Sequence, residues 1–204
     1  MRMRNKKHAH ERMAAAEEFL VKEPTAFVPH GTFHIEVGCG KGAFIAQAAS
    51  LYPEIDFLAV EKVTSVMVLA LEKAASCALP NLHFLLGDVS RLSTLPIQNK
   101  CSRIYLNFND PWPRPRHAKR RLTAAGYLDF YKTLLTPDGE IWLKTDNVPY
   151  FDFSLHSLEE NGFFPYDVTR DLHALNDPEN IITEYESNFS SQGIKINRVK
   201  AKRL

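Results

Sequence analysis

The chain contains few cysteines, and this scarcity excludes one class of protein. Its 204 residues include three cysteines, at positions 39, 77 and 101, and no two of them form a C-x-x-C pair. A small secreted protein that depends on a disulfide framework would need more of them. We therefore expect a protein of the reducing cytoplasm, and we expect no bound metal ion.

Long apolar runs are also missing. The most apolar region, VTSVMVLALEKAASCAL at positions 63–79, contains Glu72 and Lys73. The helical spacing of its apolar residues and these two charges predict an amphipathic helix rather than a membrane span. The N-terminus is basic but lacks the apolar core of a signal peptide. The sequence therefore predicts no membrane partner.

The chain also lacks a strong net charge. The formal net charge is +1, yet basic residues concentrate at positions 2–12, 114–121 and 195–203. Clusters of this kind in a nearly neutral chain indicate local anion-binding patches rather than general stickiness. For the two termini, a solvated surface is an equally good interpretation.

What the sequence does contain is an alternation of apolar strands and helices, without internal repeats. The predicted strands are 33–37, 55–60, 82–86, 103–108 and 140–144, with helices between them and a TPDG turn before the last. Near-continuous apolar strands that alternate with helices predict an α/β fold with a mostly parallel, doubly wound sheet. Two further strands near 164–172 and 194–202 predict an antiparallel C-terminal hairpin. We expect a basic arm with a short helix at 1–31 and one domain at 32–204.

A glycine-rich turn, EVGCGKG at 36–42, follows the first strand. Rossmann-like sheets bind nucleotides at this position, because glycine lets the backbone approach the ligand. Glu61, at the end of the second strand, is placed to accept hydrogen bonds from ribose hydroxyls. Both features suit NAD as well as S-adenosylmethionine, so they leave the cofactor open.

Acidic residues separate the two cofactors. Carboxylates stand at the ends of four successive predicted strands and would line one edge of the sheet: Glu36, Glu61, Asp88 and Asp110. They would repel a pyrophosphate but suit a ligand with an ammonium and a sulfonium. The alternative that one acid only caps a helix fits Asp88 singly but not the set. The sequence therefore favours S-adenosylmethionine, bound by Glu36, Gly38, Gly40, Glu61, Asp88 and Asp110.

The loop NFNDPWPRPRHAKRRL at 107–122 combines an acid, an aromatic ring and a basic run. Asp110 follows the fourth strand, and we predict that it is the catalytic carboxylate. Trp112 would either stack on a base or pack the loop. The basic run is expected to contact RNA phosphates through Arg116, Lys119, Arg120 and Arg121. Lys144, at the end of the fifth strand, is expected to face a phosphate or solvent.

Together these motifs resemble the bacterial tRNA (guanine-N7-)-methyltransferase family. The resemblance covers nearly the whole chain, and its specific parts are DPW with the basic run, LKTDN at 143–147 and TEYE at 183–186. It implies a class I S-adenosylmethionine-dependent fold and methylation of guanosine N7 at position 46 of tRNA. It also implies that the substrate guanosine is contacted by Arg114, Asp146, Thr183, Glu184, Tyr185 and Glu186. The family has Lys where Arg114 stands, which keeps the charge but changes the hydrogen-bond geometry.

Other functions remain open at the level of sequence. An amino-group methyltransferase acting on adenine N6 or glutamine would share the fold but usually has two prolines before the aromatic residue. A nicotinamide-dependent dehydrogenase would share the glycine turn, and a non-catalytic RNA-binding protein would share the basic run. A monomer and a homodimer are both compatible with the sequence.

Overall fold

The structure, a computed structural model, describes residues 9–22, 27–98 and 100–204. The first eight residues, which begin the predicted basic arm, lie outside the described residues. The chain separates into two compact units, Met1–Ile97 and Gln98–Leu204. The domain predicted at 32–204 contains this boundary and stays a prediction.

The N-terminal unit is built on three parallel strands, in the order β3 (Leu82–Leu86), β2 (Asp56–Glu61) and β1 (Phe33–Val37). Most side chains of these strands are apolar and buried. Phe33, Ile35 and Leu58, for example, have no exposed surface. The amphipathic helix predicted within positions 63–79 is confirmed as α3, Thr64–Cys77, which buries Met67 and Leu71. The elements are α1 Ala9–Ala14, β1 Phe33–Val37, α2 Ala43–Leu51, β2 Asp56–Glu61, α3 Thr64–Cys77 and β3 Leu82–Leu86, with 3-10 turns at Glu17–Phe19 and Val89–Thr94.

The C-terminal unit has four strands, in the order β4 (Cys101–Asn107), β5 (Leu135–Thr145), β7 (Asn197–Arg203) and β6 (Phe163–Thr169). β4 and β5 are parallel, whereas β7 is antiparallel to both β5 and β6. The elements are β4 Cys101–Asn107, α4 Ala125–Leu134, β5 Leu135–Thr145, α5 Val148–Glu160, β6 Phe163–Thr169, α6 Glu184–Ser190 and β7 Asn197–Arg203, with 3-10 helices at Pro115–Arg120 and His173–Leu175. With seven strands, mostly parallel and ending in an antiparallel hairpin, the predicted fold class is confirmed.

The strand predicted at 140–144 is longer than expected. β5 begins at Leu135, which pairs with Cys101, and the regular register resumes with Arg103 opposite Glu140. The predicted TPDG turn is therefore an irregularity inside the strand. Leu135, which directly precedes TPDG, is fully buried, so the strand packs in the core before this segment as well as after it.

No helix among residues 9–22, 27–98 and 100–204 is long and apolar enough to span a membrane.

Candidate active site

The glycine turn between β1 and α2 depends on backbone conformations that side chains disfavour. Gly38, Gly40 and Gly42 have φ values of 78°, 57° and 72°. A Cβ on Gly42 would lie 2.9 Å from Ala70 Cβ, so glycine here permits close packing of α2 against α3. A Cβ on Gly40 would meet nothing within 4 Å. The turn is therefore packed on its Gly42 side and open at Gly40, as a ligand cradle requires.

Glu61, at the end of β2, holds this turn in place. One carboxylate oxygen accepts a hydrogen bond from Gly40 N at 3.1 Å and the other accepts one from Val63 N at 2.8 Å. Each carboxylate oxygen has two lone pairs, so Glu61 keeps the capacity to accept further bonds from ribose hydroxyls. The sequence predicted a ligand-binding role but not this part in shaping the turn.

Cys39 reports the electrostatics of the same turn. Burial raises the pKa of its thiol well above the usual range, and the negative charges of Glu36 and Glu61 raise it further. Glu36 is 2% exposed, so its charge is poorly screened. The thiol therefore stays protonated, which excludes a thiolate nucleophile. Glu36 and Glu61 add to the effect of burial on this pKa, and a cationic ligand would offset their negative charge.

Asp88 is placed differently from the other acids. It is exposed and caps the 3-10 turn Val89–Thr94, because its Oδ1 accepts a hydrogen bond from Ser90 N at 3.0 Å. The helix-cap interpretation of Asp88 is therefore correct. Its contact with the cofactor stays a prediction.

Asp110 is exposed in a loop whose backbone is strained on either side of it. Phe108 and Trp112 have φ values of 50° and 42°, a region in which a bulky residue costs about 1–3 kcal/mol. Phe108 N donates to Lys144 O at 2.9 Å, which ties the beginning of the loop to β5. Such strain persists only where the surroundings fix it.

The basic run is divided between exposed and engaged cations. Arg121 donates from Nε to Pro111 O at 2.9 Å and from Nη2 to Trp112 O at 3.2 Å. The guanidinium of Arg120 lies 5.0 Å from the Trp112 ring, and His117 meets the same ring edge-on at 5.7 Å. The structure thus supports loop packing for Trp112. Exposed members of the run are Arg114, Arg116, Lys119 and Arg120.

The KTDN motif forms the bend between β5 and α5. Asn147 caps α5, since its side chain accepts a hydrogen bond from Tyr150 N at 2.9 Å, and its own N–H donates to Thr145 Oγ1 at 3.1 Å. Asp146, between Thr145 and Asn147 in the chain, is half-buried. The bend therefore gives Asp146 a fixed backbone position.

The TEYE motif begins α6, and its four residues have different environments. Thr183 and Glu186 form a reciprocal capping box, in which each side chain accepts a hydrogen bond from the other's backbone N–H. Both are buried, whereas Glu184 is half-buried and Tyr185 is 61% exposed. The predicted substrate contacts of Thr183 and Glu186 stay predictions, and the structure shows that these two side chains also determine the start of α6.

Lys144 contradicts its prediction, because it faces neither solvent nor an open anion site. It is 6% exposed, and its Nζ donates to Ile181 O at 2.9 Å, to Glu186 Oε2 at 3.1 Å and to Asn180 Oδ1. Since the Lys144 carbonyl accepts from Phe108 N, this one residue connects the Asp110 loop to the TEYE segment. No local pattern indicates the pairing with Glu186, which is 42 residues away.

Three aromatic rings complete this connection. Phe108 stacks on Tyr185 at 6.0 Å and on Phe189 at 6.4 Å, and Tyr185 stacks on Phe189 at 6.0 Å. Because Tyr185 is largely exposed, the cluster offers a flat aromatic surface two residues from Asp110. Such a surface can stack a nucleobase.

The fold is shared with methyltransferases of known structure. A solved structure described as a SAM dependent methyltransferase from Aquifex aeolicus has a TM-score of 0.60 and 15% identity, over 98% of this chain and 94% of that one. A family model described as "Putative methyltransferase" matches residues 30–199.

Two relatives narrow this class. A tRNA (guanine-N(7)-)-methyltransferase of Geobacillus thermodenitrificans is 41% identical, over 100% of this chain and 98% of its own length. One of Lactococcus lactis subsp. cremoris is 43% identical, over 100% and 99%. The chain belongs to the tRNA (guanine-N(7)-)-methyltransferase family.

Proposed function

We propose that this protein transfers a methyl group from S-adenosylmethionine to N7 of a guanosine in tRNA, at position 46. The observation that supports this most directly is the full-length similarity to relatives of that name. The buried acids of the glycine turn and the exposed carboxylate of the DPW loop supply the chemistry that the reaction needs. We place the activity in the cytoplasm and assign it to a monomer or a homodimer.

The residues of the N-terminal unit suit the proposed cofactor. Gly38 and Gly40 bring the backbone close to it, Glu61 accepts from its ribose, and the charge of Glu36 offsets its positive groups. Asp88 keeps one carboxylate oxygen that does not cap Ser90 and can accept from the adenine amine. When bound, S-adenosylmethionine supplies an electrophilic methyl group.

Guanine N7 has an in-plane lone pair and carries no proton at neutral pH, so its methylation needs no general base. Positive charge develops on the base, and a carboxylate near it stabilises that charge. Asp110 takes this role and also contacts the cofactor. Its exposure allows a base to reach it, and the strained backbone around it limits its range of positions.

Recognition of the base falls to the motifs around this loop. Asp146 can accept hydrogen bonds from guanine N1–H and the exocyclic amine, and Tyr185 offers a stacking face. Arg114 and Glu184 approach the same nucleoside, while Thr183 and Glu186 hold the segment that carries Tyr185. The phosphate backbone is bound by Arg116, Lys119 and Arg120, since exposed cations can reach phosphates and displace their condensed counterions.

One experiment tests the function. The protein is incubated with unmodified tRNA and methyl-labelled S-adenosylmethionine, and the modified nucleoside is identified by mass spectrometry. We expect 7-methylguanosine with wild-type tRNA and none when guanosine 46 is replaced by adenosine. Label in N6-methyladenosine would contradict the proposal and support the amino-group alternative.

The same assay tests Asp110. We expect Asp110→Asn to lower kcat by about 100-fold or more, which is typical of losing a group that stabilises developing charge, while tRNA still binds. Asp138→Asn is the matched control, because it removes a carboxylate that is 88% exposed and outside the proposed site. Equal turnover in both variants would refute the assignment of Asp110.

A further inference from the structure

We propose that Arg121 is a positioning residue, which fixes the Asp110 loop through its backbone and does not bind an RNA phosphate. The role rests on the proposed function, because it describes how that function's carboxylate is held. It departs from the interpretation of the basic run as a uniform phosphate-binding surface.

The first argument is that one edge of the Arg121 guanidinium is already occupied by hydrogen bonds within the protein. Nε and Nη2 donate to the carbonyls of Pro111 and Trp112, the two residues that follow Asp110. These two nitrogens form one edge of the planar group, and this is an edge with which arginine grips a phosphate bidentately. A bidentate phosphate contact through it would release both carbonyls.

The second argument is the strained backbone conformation that these two hydrogen bonds stabilise. Trp112 has a φ of 42°, and Pro111 has no backbone N–H that could anchor the turn from within. Hydrogen bonds to the carbonyls of Pro111 and Trp112 fix the orientation of the 111–112 and 112–113 peptide planes. That orientation in turn limits where the preceding residue, Asp110, can place its carboxylate.

The third argument is what supports Arg121 itself. Its guanidinium lies 4.4 Å from the centre of the Phe153 ring on α5, a cation–π distance. α5 begins at Val148, two residues after Asp146. A single cation therefore joins the loop that carries Asp110 to the helix that follows Asp146. Lys119, two residues earlier, is exposed and serves as the matched control.

Kinetics and salt dependence distinguish positioning from phosphate binding. For Arg121→Ala we expect kcat at saturating tRNA to fall at least 10-fold, while the slope of log affinity against log salt stays that of the wild type. For Lys119→Ala we expect that slope to fall in magnitude by about 0.7–0.9, the value for one lost phosphate contact. A reduced slope in Arg121→Ala with unchanged kcat would overturn the proposal.

A conservative variant guards against loss of folding. Arg121→Lys keeps the charge, so a phosphate contact would be largely preserved and activity would stay near the wild-type level. An ammonium cannot donate in one plane to both carbonyls, so we expect kcat to fall in this variant too. Full activity of Arg121→Lys would count against positioning.

Fluorescence tests the loop without using activity. The chain has two tryptophans, and Trp142→Phe leaves Trp112 as the reporter. In this background we expect Arg121→Ala to shift the Trp112 emission and increase its quenching by acrylamide, and Lys119→Ala to leave both unchanged. Unaltered emission and quenching in Arg121→Ala would refute the proposal. This readout holds even if the wild-type protein fails to methylate tRNA, so it separates failure of the proposed function from failure of the Arg121 role.

Discussion

Lys144 and Glu186 show how much one buried pair can organise. Glu186 has no exposed surface, and it accepts hydrogen bonds from Lys144 Nζ at 3.1 Å and from Asn180 Nδ2 at 2.7 Å. Removing two charges from water is costly, and only good geometry with further hydrogen bonds offsets that cost. Here the pair fixes the start of α6, and therefore the position of the exposed Tyr185 ring.

A double-mutant cycle tests this pair. We expect Lys144→Met and Glu186→Gln each to lower the free energy of unfolding by about 3 kcal/mol, because each leaves a buried partner without its counterpart. The double variant should lose clearly less than the sum, since it leaves no isolated charge. Urea unfolding followed by circular dichroism measures all four proteins. Strictly additive losses would mean that the two side chains do not stabilise each other.

Residues of this kind mark the limit of what the sequence predicts. The place of Glu61 at the carboxyl end of a strand could be predicted, because a local pattern carries that information. The partners of Lys144 and Arg121 could not, since they depend on which distant segments the fold brings together. Asp88 shows the intermediate case, in which a cap and a ligand contact have the same local pattern.

At the level of elements, the strands could be predicted and their interruptions could not. β1 and β3 occupy the predicted residues, because short apolar runs between turn signals have few alternatives. The TPDG segment of β5 consists of ordinary turn residues. Only the pairing of Leu135 and Glu140 with β4 shows that the strand includes residues on both sides of this segment. Pro111 and Pro113 restrict the backbone of the loop after β4, and this can be read from the sequence. The left-handed residues of this loop, Phe108 and Trp112, have no signal in the sequence.

The C-terminal hairpin is held by an ionic network that also fixes the segment leading to α6. Arg198 in β7 is 4% exposed and donates to both oxygens of Asp167 at 2.8 Å and to Asp177. Burial of Asp167 opposes its ionisation, but hydrogen bonds from Lys200 and Arg198 outweigh this and lower its pKa. The hydrogen bond from Arg198 lowers the pKa of Asp177 as well.

This network predicts acid sensitivity. A carboxylate whose pKa is lowered by folding contributes stability above its unfolded pKa, about 3.9, and loses it as the pH falls through the folded value. We expect Asp167→Asn to be less stable than the wild type at pH 7, and the difference to shrink below about pH 4. Urea unfolding between pH 7 and pH 3 measures it, with Asp138→Asn as an exposed control. A difference that does not change with pH would contradict this account.

On the scale of the whole molecule, a net charge of +1 conceals two opposite local environments. The carboxylates beside the glycine turn, Glu36 and Glu61, are buried, whereas the run at 114–121 is basic and largely exposed. A cationic cofactor and an anionic nucleic acid can therefore be bound by one nearly neutral chain. The total charge says little about either ligand, because each responds to the charges within about one Debye length of it.

Cofactor choice is the property of the whole molecule that this arrangement predicts. A ligand that binds only the folded protein raises the free energy of unfolding, by about 2.7 kcal/mol at 100 times its Kd. We expect S-adenosylmethionine to raise the thermal midpoint in this way and NAD to leave it unchanged, because the acids of the turn repel a pyrophosphate. Glu36→Gln should reduce the shift, because it removes a charge that we propose to face the positive groups of the cofactor. Differential scanning calorimetry with matched ligand concentrations measures the midpoints. Stabilisation by NAD equal to that by S-adenosylmethionine would favour the dehydrogenase alternative and refute the assignment of the turn.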